Sequence, residues 1–191
     1  MAWVSALRTV AAIAALSLST AAHANLVVNG NFETGNFTGW TKSGNTSLSD
    51  VISNTVTSNH TYLWRSGATG SEAFISQNIA TTPGGVYDLA FDVYNSSTSN
   101  SVFEVLFGGV QVYTFTNQVH DWSHIELEVT ALSSLTELKF GARNDPSFTR
   151  LDNVTLDLDQ DVPAVPEPAS LALVGAALVA LRLASRRRRA G

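Results

Sequence analysis

The middle of this 191-residue chain alternates apolar and polar side chains with a period of two. Ile125-Glu126-Leu127-Glu128-Val129 turns three apolar side chains one way and two acids the other, and Tyr87-Asp88-Leu89-Ala90-Phe91-Asp92-Val93 repeats the pattern over a longer run. That period belongs to a strand with one buried face. Short runs rich in Val, Ile, Thr, Phe and Tyr recur between Asn, Gly and Ser punctuation. They predict strands over Leu26–Asn29, Gly39–Lys42, Ser47–Ser53, Thr61–Arg65, Ala73–Ile79, Val86–Tyr94, Val102–Phe107, Val110–Phe115, Trp122–Val129, Leu135–Phe140 and Arg150–Leu158. Gly108-Gly109, between two apolar runs, is a hairpin turn signal. Many short strands at regular spacing, with no helical periodicity, predict an all-β domain, an antiparallel β-sandwich.

The two ends follow other patterns. Met1 to Ala24 has a basic Arg8, an apolar stretch from Val10 to Leu18 and the small-x-small triplet Ala22-His23-Ala24, which together predict a secretory signal peptide cleaved to expose Asn25. The strand pattern holds over residues 25–158; residues 159–165 are acidic and proline-rich and predict a linker. From 166 to 191 come Pro166-Glu167-Pro168, an apolar run from Leu171 to Leu181, Arg182, and the block Arg186, Arg187, Arg188, Arg189. The prolines disfavour helix around Glu167. The apolar run predicts a short transmembrane helix, marginal against the roughly twenty residues of a full span. The arginine block would hold the extreme C-terminus in the cytoplasm.

Pro-Glu-Pro, a short hydrophobic helix and a terminal arginine cluster, in that order, resemble the PEP-CTERM sorting signal of Gram-negative envelopes. The resemblance implies that Pro166, Glu167 and Pro168 are read by an exosortase, a membrane protease that cuts near them. It also implies that the tail holds the protein in the inner membrane until then. The expected location is the cell surface or extracellular matrix, and signal peptidase and exosortase are the expected export partners.

Removing the ends changes the charge. The chain has 11 Lys+Arg and 16 Asp+Glu. Six of the bases (Arg8, Arg182 and Arg186 to Arg189) and one acid, Glu167, lie in the ends, so the body keeps five bases and fifteen acids. Such a body repels nucleic acid and anionic lipid. Cysteine is absent, so no disulfide staples a domain whose export would permit one.

Three stretches of the body carry a second resemblance. They are Asn29-Gly30-Asn31-Phe32-Glu33 with Gly39-Trp40; Ser76-Gln77 with Pro83-Gly84 and Tyr87-Asp88-Leu89-Ala90-Phe91; and Leu151-Asp152-Asn153-Val154. This series resembles galactose-binding-like jelly rolls, especially carbohydrate-binding modules of families four, nine and twenty-two. The resemblance implies a structural calcium held by Glu33 and Asp152, with Asn31 offering its carbonyl. Calcium takes hard oxygen ligands, which suits two carboxylates on neighbouring segments. The alternative for Glu33 and Asp152 is surface acids at strand ends, while Phe32 and Trp40 read as core aromatics.

An enzyme reading finds little support. His120 and His124 on a strand would share a face about 13 Å apart, too far for one metal. No His-Glu-x-x-His or Gly-x-Ser-x-Gly pattern occurs. The pairs Glu126/Glu128 and Asp157/Asp159 sit at strand spacing on a wet face, so no catalytic residue is assigned and a glycoside hydrolase is the remote alternative. A sugar would need aromatic faces and nearby polar groups. Tyr62 and Trp64 share a strand face and form a candidate platform, unless both point inward. Phe148 is a third candidate, in the polar loop Arg143–Phe148. The expected function is a non-enzymatic, exported protein that binds polysaccharide in a biofilm or floc matrix; a purely structural matrix protein is the alternative from another class.

Overall fold

The period-two runs pair into ten strands. The computed structural model describes residues 24–53 and 61–159; the expected signal peptide up to His23, the end of the expected linker and the expected sorting tail and helix lie outside the described residues. The strands are β1 (Thr41–Gly44), β2 (Ser49–Ser53), β3 (Tyr62–Ser66), β4 (Ala73–Ala80), β5 (Val86–Asn95), β6 (Ser101–Phe107), β7 (Val110–Thr116), β8 (His120–Thr130), β9 (Leu135–Asn144) and β10 (Thr149–Leu158), with one 3-10 turn at Thr46–Leu48. A front sheet has the order β1-β4-β9-β6-β7 and a back sheet β2-β3-β10-β5-β8. Every pairing is antiparallel. The body is thus the expected all-β sandwich. Among the described residues no helix is long and apolar enough to cross a membrane.

Alternation places the core between the sheets. Ile75, Phe103, Val105, Leu138 and Phe140 come from the front sheet, and Trp64, Leu89, Phe91, Val93, Leu151 and Leu156 from the back; all are fully buried. Phe91 meets Phe103 and Phe140 at ring-centroid distances of 5.9 and 5.4 Å, within the 4.5–7 Å at which aromatic pairs attract. Phe32 and Trp40 stack at 5.7 Å and close one end of this core. The hairpin at Gly108-Gly109 forms as expected, with φ of 60° and 81° that only glycine adopts without strain.

Leu26–Asn29 is not a strand. Asn29 and Phe32 take left-handed backbone, with φ of 53° and 55°, which breaks extended pairing. The segment instead docks on β10. Leu26 N–H donates to Leu156 O at 2.9 Å, Leu156 N–H to Asn25 Oδ1 at 3.0 Å, and Val154 N–H to Gly30 O at 3.0 Å. β10 makes room with a bulge between Asp152 and Thr155, where Asn153 has φ of 53°. A Cβ on Gly30 would overlap the carbonyl oxygen of Val154, so only glycine permits the approach.

A second bulge corrects the expected placement of the histidines. Val93 faces Ser123 and Asn95 faces His120, so β8 carries an extra residue opposite Tyr94. The shift turns His120 inward against Phe115, 4.2 Å between centroids, while His124 faces outward to Asp92. The two do not share a face.

Candidate functional site

The outer face of the front sheet carries a cleft of about 500 Å³ floored by Phe74. Register explains the floor. Phe74 on β4 lies opposite Gly141 on β9, and Gly44 closes β1 on the other side. A Cβ on Gly141 would stand 2.5 Å from Phe74 Cε1, and one on Gly44 would stand 2.9 Å from Cδ2 on the opposite ring edge. The ring therefore lies down across two neighbouring strands, in the space those side chains would fill. The Lys139 ammonium stands 4.7 Å from the ring centroid, a cation–π contact that a flexible lysine can leave.

Polar groups flank the ring. Glu72, two residues earlier on the same face, has its Oε1 buried without a partner, and so does Nε of Arg143, two residues beyond Gly141. Arg143 donates from a terminal nitrogen to Gly70 O at 3.3 Å. Burial pushes the Glu72 carboxyl up, the nearby Glu104 adds to the rise, and Arg143 opposes it. A buried polar atom left unpaired costs roughly 1–3 kcal/mol, and here one such acceptor and one such donor belong to residues that line the same cleft. Asn45 and the Gly70–Ser71 corner complete the rim.

A second cluster sits where the N-terminal segment crosses the β10 bulge. Asp152 is 1% exposed; its Oδ1 accepts from Asn153 N–H at 2.8 Å, and its Oδ2 is buried without a partner. Burial first, then the charges of Asp92 and Glu33, push its carboxyl up to about 7 against the pull of the Asn153 N–H. Glu33 accepts from the backbone N–H groups of Thr61 and Tyr62 at 2.8 and 3.1 Å. Asn31 turns its side-chain oxygen to Glu33 N–H at 3.3 Å. Asp92, absent from the expected set, is Asp152's cross-strand partner and accepts from Asn153 Nδ2 at 2.5 Å while holding His124 Nδ1 at 2.6 Å. Among the described residues no three His, Asp or Glu side chains gather closely enough to hold an ion by themselves, so any cation here would need carbonyl or water oxygens as well. The orphaned, buried Oδ2 fits such a cation: a positive charge would restore the ionised form that burial disfavours.

The expected sugar platform is corrected. Trp64 is fully buried and gives its Nε1–H to Ser49 Oγ at 2.9 Å, because the inner face of β3 points into the sandwich. Tyr62, on the same inward face, packs half-buried against that core, with Gly35 beside its ring. Phe148 lies elsewhere, over Gly67 and beneath the Arg65 guanidinium at 4.4 Å. The sequence signal for Phe74 was its two glycine neighbours, which become neighbours only once register is known.

Comparison with solved structures agrees on the fold. The chain is similar to TmCBM61 in complex with β-1,4-galactotriose, at 21% identity and a TM-score of 0.58, over 71% of this chain and 99% of that one. It is also similar to the enzymatically active domain of bacteriophage CBA120 tailspike protein 4, at 20% identity and TM-score 0.53, over 71% of this chain and 21% of that one. The CBM22-1–GH10 modules of Clostridium thermocellum xylanase 10B, complexed with xylohexaose, share 16% identity at TM-score 0.51, over 75% of this chain and 30% of that one. The body shares its β-sandwich fold with these structures. Its tail is more specific: residues 164–189 match the PEP-CTERM protein-sorting motif, so the chain carries the signal that implies export and processing by an exosortase. Among curated proteins none matches.

Proposed function

We propose that this is a non-enzymatic, exported glycan-binding protein, cut by signal peptidase and exosortase and delivered to the cell surface or biofilm matrix of a Gram-negative exopolysaccharide producer. The observation that carries the binding reading is the Phe74 ring lying flat across β1 and β9, flanked by a buried unpaired acceptor on Glu72 and a donor on Arg143. The apolar C–H face of a pyranose stacks on an aromatic face, and the flanking groups take its hydroxyls. Affinity electrophoresis of the full-length protein through gels of galactan, xylan, mixed glucan and the host's own polysaccharide tests it. Retardation in at least one gel is expected; free migration in all of them leaves a structural matrix protein.

We further propose that Asp152 and Glu33 hold a structural calcium, with oxygens of the 29–33 turn completing the shell. Asn31 enters only if it releases the Glu33 N–H. The ion would fasten the N-terminal segment to the β10 bulge and take no part in chemistry. Calcium should raise the melting temperature of the wild type and leave that of Asp152→Asn unchanged; equal shifts would remove the site.

A further inference from the structure

The opposite face of the sandwich carries a second set of aromatic and cationic groups that the Phe74 cleft does not use. Cross-strand register aligns Asp50, Arg65, Arg150 and Tyr94 in one row on the outer side of β2, β3, β10 and β5. The β8 bulge adds Trp122 to the end of that row, its ring 5.7 Å from Tyr94. The two arginines are used differently. Arg65 is committed: it grips Asp50 through two bonds, 2.7 and 2.9 Å, and lies over Phe148. Arg150 is stacked on Tyr94 at 4.8 Å and, among the described residues, has no hydrogen-bond or ion-pair partner. The Tyr94 ring covers one side of its guanidinium, while among the described residues its N–H groups have no protein partner.

We propose that Arg150, Tyr94 and Trp122 form a second saccharide-binding surface, selective for carboxylate-bearing sugars, the uronates of acidic polysaccharide. A planar guanidinium with one face covered offers paired N–H donors that match a carboxylate. Trp122 and Tyr94, half-buried and tilted at 41° to each other, give the sugar ring an apolar surface beside the charge. The body as a whole, five bases to fifteen acids, repels an acidic chain, so the attraction is local: in this row the one carboxylate, Asp50, is taken up by Arg65, which leaves the Arg150 charge uncompensated. The next row down holds Asp92, Asp152 and His124, and Asp121 is exposed beside Trp122. Repulsion from Asp121 and Asp92, the latter partly offset by its contact with His124, confines an anionic chain to the Arg150 end and makes binding sensitive to salt. The surface is independent of the Phe74 cleft, so either can fail alone.

The test is calorimetric titration of the full-length protein with polygalacturonate, with galactan and with poly-glutamate as controls. Polygalacturonate should bind; Arg150→Gln and Trp122→Ala should each weaken it roughly tenfold or more, with melting temperatures near the wild type. Arg150→Lys, which keeps charge but loses the planar fork, should recover only part of it. Phe74→Ala should leave polygalacturonate binding intact, and galactan binding, where present, should survive Arg150→Gln. The proposal is overturned if polygalacturonate does not bind, if Arg150→Gln leaves its binding unchanged, if Phe74→Ala abolishes it, or if poly-glutamate binds equally well.

Discussion

Gly141 and Gly44 govern the proposed recognition surface through what they lack. A methyl on either would strike Phe74, and on Gly141 it would also press on Glu104. Gly141→Ala should therefore tilt the ring off the sheet and weaken glycan binding, with a stability cost smaller than that of a core truncation. Trp64 is the contrast. It is 0% exposed, so Trp64→Ala should cost about 3–5 kcal/mol of stability in chemical denaturation, and lose glycan binding only as the protein unfolds. Both tyrosine and tryptophan of Tyr62-Leu63-Trp64 alternate as a platform would, and as a core strand would. The sequence cannot separate the two, because which face of an alternating strand is buried depends on the partner sheet. Phe74 was illegible for the converse reason: Ala73-Phe74-Ile75 reads as a plain apolar run, and Phe74 is marked as outward only by the glycines register sets beside it.

The N-terminal segment and β10 form a joint built from backbone and small side chains. Asn25 contributes three bonds from one amide: its oxygen accepts from Val27 N–H at 2.9 Å and Leu156 N–H at 3.0 Å, and its nitrogen donates to Val154 O at 3.3 Å. Gly30→Ala cannot keep this docking, since the added Cβ overlaps Val154 O. It should destabilise by roughly 2 kcal/mol or more and speed amide exchange of Leu26, Val154 and Leu156 ahead of the remaining strands. The body strands were legible because alternation and turn residues agree along them. The first expected strand was not: Leu26-Val27-Val28 has β-prone side chains, yet left-handed Asn29 and Phe32 and the β10 bulge are tertiary solutions with no local signature. The acids of the second cluster were partly legible, Glu33 and Asp152 through resemblance, while Asp92 needed the β5–β10 register.

For the molecule as a whole, stability is tied to the ionisation of Asp152. Its carboxyl sits at about 7 in the folded protein, above the 3.8 of an ordinary aspartate. Folding therefore favours the protonated form. That contribution is complete below about pH 4 and is lost as pH rises through 7, amounting to at most on the order of 4 kcal/mol. In chelator, the wild type should lose melting temperature between pH 5 and 8 relative to Asp152→Asn, and calcium should remove that difference. A parallel pH dependence in the two proteins would mean that Asp152 is not the strained acid described here. With the two proposed glycan surfaces on opposite outer faces, one molecule would bridge two polysaccharide chains, a use suited to the proposed place in a matrix. The decisive measurement is calorimetric titration of full-length wild type and Phe74→Ala with whichever neutral polysaccharide retards the protein most. The account predicts saturable wild-type binding, weakened roughly tenfold or more by loss of the ring, at unchanged melting temperature. Equal affinity in the two proteins would contradict it and leave the front sheet without a recognition role.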